Sequence, residues 1–266
     1  MNLRTASLLA IAPLLLAKAA FAQRTDLYLL IGQSNMAGRG PVEARDREPI
    51  PGVFALTEAN TWVPAVDPLH WDKPGIAGVG PGRGFAKRMR EAEPTVDIGL
   101  IPAAFGGTSL EQWAVGGKLY TDAVERTRTA LRLAGPGAKL KGMLWHQGEA
   151  ECGKEALANT YIERWSVIVA ALKKDLNAPD VPVIVGQLGT FLEAAKSPFA
   201  GVVNAQLKAI PSRIPNTAFV SSEGLKDKGD MVHFDSEGAR ELGRRYAAGL
   251  LGLTSAKGHD FFYAGK

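Results

Sequence analysis

The sequence predicts an α/β fold: a mainly parallel, five-stranded sheet with helices on both of its faces. Two observations carry this expectation. Short apolar runs without polar alternation recur along the chain, as in strands buried on both faces. Segments of helical period lie between them, and strands alternating with helices imply βαβ units with right-handed crossovers.

Taken in order, the chain opens on an address. Arg4 precedes the apolar run Ala6–Ala17, and Ala20-Phe21-Ala22 supplies the small-x-small pattern of a cleavage site before Gln23. Met1–Ala22 therefore reads as a signal peptide, which implies a secreted or periplasmic protein, and residues 23–266 read as one domain. The first strand is expected at Leu27–Ile31. Others are expected at Val96–Ile101, Leu140–Trp145, Val181–Val185 and Ala218–Val220. Phe85 and Met89 mark one helix, and Tyr120–Leu133 holds another. Tyr161, Trp165, Ile168 and Leu172 recur at helical steps, as do Ala239, Leu242, Tyr246 and Leu250 near the end. Residues 38–81 break the alternation, with seven prolines and weak periodicity. Such long irregular stretches are functional loops or disordered, and Trp62 and Trp71 favour a loop that packs. The tail aromatics Phe261, Phe262 and Tyr263 suit packing on the domain or a partner, which leaves the oligomeric state open.

Composition narrows the function. Hydrophobic residues at 46% and charged residues at 22% exclude wholesale disorder. No apolar run after the N-terminus approaches the length of a membrane span. The formal charge is +4, falls to +2 once Arg4 and Lys18 leave with the signal, and includes no long basic block. Nucleic-acid binding therefore has little electrostatic support. A single cysteine excludes an internal disulfide, and Cys152 reads as a packed thiol. No spacing suits a metal site. The glycine series Gly78, Gly80, Gly82 and Gly84 misses the spacing of a nucleotide-binding turn, so no cofactor is expected.

In open α/β sheets ligands gather where strands end, so the residues after each strand matter most. Gly32-Gln33-Ser34-Asn35-Met36 follows the first, and its serine suits either an exposed nucleophile or a helix cap. Gly106-Gly107-Thr108-Ser109 follows the second, as a plain turn or as backbone donors for an anion. His146-Gln147-Gly148-Glu149 follows the third, as surface turn or as an amide and a carboxylate for a site. Asp230-Met231-Val232-His233 precedes the last helix, where the acid can fix the tautomer of the imidazole.

In this order the four pieces resemble the SGNH/GDSL hydrolase superfamily. Within it they resemble the sialate O-acetylesterase-like group that includes the acetylxylan esterases of carbohydrate esterase family 6. The resemblance spans residues 32–233 and includes the stretch IPAAFGGTSLEQW. It implies a three-layer α/β/α sandwich, flavodoxin-like, with a serine nucleophile and no metal. By the resemblance Ser34 is the nucleophile, His233 the general base and Asp230 the acid that orients it. The oxyanion hole maps onto the N–H groups of Ser34 and of Gly107, or Gly106 beside it, and the side-chain amide of Gln147. Glu149 is a second candidate for the acid, or a substrate contact. Trp113, with Trp62 and Trp71, is a candidate sugar platform, core packing being the alternative for each. The expected activity is release of O-acetyl groups from a carbohydrate, acetylxylan or O-acetylated sialic acid among others. A non-catalytic carbohydrate-binding protein and a short-chain esterase of non-sugar substrates are the alternatives.

Overall fold

The structure is a computed structural model describing residues 24–192 and 197–263, with no side chain described beyond Ser255. The signal peptide read at Met1–Ala22 and the aromatic side chains of the tail lie outside these residues.

One seven-stranded sheet organises the chain, in the order β3-β2-β4-β1-β5-β6-β7. Its central strand is β1 (Thr25–Gly32), paired in parallel with β4 (Asp97–Pro102) and β5 (Ala138–His146). β6 (Val183–Gly186) and β7 (Thr217–Val220) continue the parallel array beyond β5. β1 is buried along its whole length, and successive side chains of a strand point to opposite faces. Leu27, Leu29 and Ile31 enter one core with residues of α3 (Lys118–Ala134), α5 (Tyr161–Asp175) and α6 (Ala200–Arg213). Tyr28 and Leu30 enter the other with residues of α2 (Pro81–Ala92) and α7 (Ser236–Tyr263). These are the three layers expected. The first core centres on Trp145, Trp113 and Trp165, all fully buried, with Trp145 set edge-on to both neighbours. Truncating such a ring to alanine costs about 3–5 kcal/mol. On the opposite face α2 and α7 approach closely, because a Cβ on Gly84 would strike the Arg240 carbonyl and one on Gly243 the Pro81 carbonyl.

The expectation of five strands is corrected to seven. The two additional strands, β2 (Val53–Leu56) and β3 (Trp62–Pro64), lie inside the segment read as an irregular loop. They form an antiparallel hairpin, with Asn60 in its turn at φ 57°, and β2 pairs in parallel with β4. Strands of three and four residues are too short to display a period of two, and Pro64 is tolerated because β3 is an edge strand. α6 was also unread, although Ala200, Val203, Leu207 and Ile210 recur at helical steps and are buried. Two short helices complete the chain, α1 (Ser34–Ala37) after β1 and α4 (Glu155–Asn159) before α5. No helix among the described residues is long and apolar enough to cross a membrane.

Candidate active site

The site is built where β1, β4 and β5 end. β1 closes on Gly32, whose φ of 134° suits only glycine and whose absent Cβ would collide with the His146 backbone. Gln33 N–H donates to the His146 carbonyl at 2.8 Å, so the ends of β1 and β5 are stapled together. Ser34 then begins α1, with its Oγ 3.0 Å from Nε2 of His233.

His233 comes from the loop between β7 and α7, some 199 residues away in sequence. An antiparallel bridge between Asp227 and Phe234 closes that loop, and Met231 bends it at φ 56°. Asp230 Oδ1 accepts the backbone N–H groups of Val232 (3.0 Å) and His233 (2.8 Å), and its Oδ2 faces His233 Nδ1 at 2.8 Å. A carboxylate can only accept, so Nδ1 carries its proton toward Asp230 and Nε2 is free to accept from Ser34. Partial burial by itself raises the Asp230 pKa. The His233 side chain and the two backbone donors outweigh it and hold the carboxyl well below the usual range.

A residue that the sequence reading did not single out fixes this loop. Asn35 Nδ2 donates to the Val232 carbonyl at 3.0 Å, and its Oδ1 accepts Phe234 N–H at 3.1 Å, so it grips both neighbours of His233. The same amide donates to Glu149 Oε1 at 2.7 Å. Glu149 thus bonds Asn35, while the acid that bonds His233 is Asp230.

The Gly106-Gly107 turn lies against the nucleophile, since a Cβ on Gly106 would stand 3.3 Å from the Ser34 Cβ. Gly106 N–H is taken by Asp72 Oδ2 at 2.8 Å. Asp72 is itself paired with Arg39 at 2.5 Å, both side chains being almost fully buried. Gly107, at φ 80°, and Ser34 have backbone N–H groups without a protein hydrogen-bond partner among the described residues. No local pattern announces the Arg39–Asp72 brace, because its members are 33 residues apart.

The expected third donor, the Gln147 amide, is engaged within the protein. Gln147 is fully buried, and its Nε2 donates to the Thr108 carbonyl (3.1 Å) and to Glu151 Oε2 (2.5 Å). An amide nitrogen has two hydrogens, so none remains for an oxyanion. Gln147 instead ties the glycine turn to Glu151, whose other oxygen accepts Leu110 N–H at 2.7 Å. Trp113 is fully buried, with Nε1 donating to Thr108 Oγ1 at 3.1 Å, so it braces the turn from below rather than forming its rim. Trp62 is buried as well. Trp71 is half-buried, with the Arg126 guanidinium 4.1 Å over its ring. Cys152 is buried, and burial pushes its thiol up to about 12, so it packs as a closed thiol. Among the described residues no cluster of His, Cys, Asp or Glu is placed to hold a metal ion.

A three-layer α/β sandwich with a serine, an imidazole and a carboxylate in series beyond its central strands has the arrangement of a serine hydrolase. The chain belongs to the carbohydrate esterase, sialic acid-specific acetylesterase family, whose model matches residues 24–252. It is accordingly a carboxylic ester hydrolase of the carbohydrate esterase kind. A probable carbohydrate esterase of Arabidopsis thaliana, At4g34215, is 30% identical over 248 residues, which cover 85% of this chain and 90% of that protein. The solved structure of the At4g34215 protein matches with a TM-score of 0.78 at 28% identity, over 86% of this chain and 98% of its own. The fold is also that of NanS, with a TM-score of 0.73 at 20% identity, over 89% of this chain and 99% of that one.

Proposed function

We propose that the protein removes O-acetyl groups from a carbohydrate by way of an acetyl-enzyme formed on Ser34. Ser34 Oγ attacks the ester carbonyl while His233 Nε2 takes its proton, and Asp230 steadies the imidazolium. The oxyanion forms against the N–H groups of Ser34 and Gly107, donors already in place before reaction. His233 returns the proton to the departing sugar oxygen, and water then hydrolyses the acetyl-serine. The observation that carries this reading is His233 bonded on one side to Ser34 at 3.0 Å and on the other to Asp230 at 2.8 Å.

A sugar has a place beside the turn. A cavity of about 320 Å³ there is lined by Trp71, Asp72, Phe105, Lys118, Asp122 and Arg126. That is the size of a small-ligand pocket. Phe105 is 40% exposed and directly precedes the glycine pair, and its ring suits stacking on a sugar face. Export, read from Met1–Ala22, would bring the enzyme to glycans outside the cytoplasm.

The test is acetate release from a panel of acetylated sugars and polysaccharides, with Ser34→Ala as control. Release from at least one glycan, lost in the variant, is expected. Release that persists in Ser34→Ala, or none from any glycan, defeats the proposal.

A further inference from the structure

The Glu149 side chain is 6% exposed, yet it is satisfied on one oxygen alone: Oε1 accepts from Asn35 at 2.7 Å, while Oε2 is buried without a hydrogen-bond partner. Its neighbour His146 is fully buried, with Nε2 3.8 Å from Glu149 Oε1 and no partner of its own. The tautomer of His146 follows from its other nitrogen. Tyr246 donates its one hydroxyl hydrogen to the Trp145 carbonyl at 2.7 Å. Its oxygen therefore accepts from His146 Nδ1, 3.1 Å away, and Nδ1 carries the proton. Nε2 is left as a bare lone pair. An ionised Glu149 would set two acceptors face to face in a buried site with no cation to offset the charge, an unfavourable arrangement. A proton on the carboxyl turns the same contact into an attractive one.

We propose that Glu149 stands as a protonated carboxyl facing the bare Nε2 of His146, and that this neutral pair, acting through Asn35, sets where His233 stands. Glu149 is then a positioning residue rather than a catalytic acid. Burial is in keeping with this: it lifts the Glu149 pKa to about 7, against the pull of Asn35 and of the backbone groups of Glu149 and Gly148, and presses that of His146 down to about 3. The neighbouring Glu151 lifts Glu149 further. The chain of contacts ends on the two backbone groups that flank His233, the Val232 carbonyl and Phe234 N–H.

The inference rests on the esterase reading for its kinetic consequence and on spectroscopy for its protonation state. In Glu149→Gln the amide oxygen still accepts from Asn35 and the neutral side chain keeps the size of the acid without its charge, so the variant copies the protonated acid. With p-nitrophenyl acetate, Glu149→Ala should lower kcat on the order of 10²-fold with KM little changed, since it frees the His233 loop. Glu149→Gln should restore kcat to within about threefold of the parent. Independently of activity, the infrared difference between parent and Glu149→Gln, at about pH 6, should show a protonated-carboxyl band that the variant lacks. If the parent turns over no ester, the esterase reading falls and the infrared band still decides the protonation state. A Glu149→Gln variant as impaired as Glu149→Ala, or the absence of that band, overturns the proposal.

Discussion

Asp230 is bonded to His233 and Glu149 to Asn35, which grips the His233 loop, and their surroundings drive the two carboxyl groups to opposite states. Asp230 sits in a loop of irregular backbone, half open to water, where two main-chain N–H groups and the imidazole converge on it. Glu149 follows the end of β5, with the Asn35 amide, nearby backbone groups of its own turn and a neutral histidine for company. The first is held ionised and the second is pushed up to about 7. The difference teaches that closeness in sequence to a conspicuous histidine does not assign an acid its role. The number of donors aimed at it and the access of water do.

The largest expected effect separates the two acids directly. Asp230→Asn removes the charge and the sole acceptor for Nδ1, and kcat should fall by about 10⁴, as when a triad acid is neutralised elsewhere. The measurement is steady-state hydrolysis of p-nitrophenyl acetate. A loss no greater than that of Glu149→Gln would erase the contrast between the acids.

A smaller effect concerns the oxyanion donors. Gly107→Ala forces a side chain into a φ of 80° and displaces a donor, for a loss of about 10²–10³ in kcat. Gln147→Ala should act first on stability, by about 1–3 kcal/mol, because it strands the buried Glu151 carboxyl. Paired kinetics and urea melts on the two variants check this. A Gln147 variant that folds with parental stability and has lost its kcat would restore Gln147 to the oxyanion hole.

The smallest effect is a slope of stability with pH. A raised carboxyl keeps its proton in the folded state after the unfolded chain has released it, above about pH 4.3 for Glu. Folding then binds protons, and stability falls as pH rises from there through the folded-state value. Glu149, raised to about 7, and buried Asp67, raised to about 8, both act this way. Asp230 acts in the opposite sense and only in acid: its lowered pKa stabilises the fold above about pH 3.9 and that contribution fades below it. Buried His146 and His70, lowered to about 3 and about 4, act in the opposite sense below about pH 6.5, so thermal melts should decline mainly from pH 6.5 to pH 8, by about a few degrees. Glu149→Gln should lessen that decline, Asp67 keeping the remainder, and Asp230→Asn should leave it unchanged. A decline of the same size in parent and Glu149→Gln would contradict the raised state of Glu149.

Much of the molecule was legible before the structure. β1 declared itself because Leu27–Ile31 is buried on both faces and so lacks polar alternation. Ser34, Asp230 and His233 could be singled out because each follows a strand or precedes a helix in a short motif. The hairpin of Val53–Leu56 with Trp62–Pro64 left no such trace, since its strands are brief and set among prolines. The braces of the site were hidden for another reason. Asn35 reaches Val232 and Phe234, Asp72 reaches Gly106, and the Gln147 amide is taken by Glu151 and the Thr108 carbonyl. Each is a pairing made by the fold across tens to hundreds of residues, or a choice between two orientations of one amide, and neither is written in local pattern.

The central claim is that Ser34 is a nucleophile activated by His233. It is tested most directly by treating the protein with a fluorophosphonate and mapping the adduct by mass spectrometry of its peptides. The expected result is a single adduct on Ser34 that forms far more slowly in His233→Ala. An adduct on another residue, or labelling of Ser34 at an unchanged rate without His233, would contradict it.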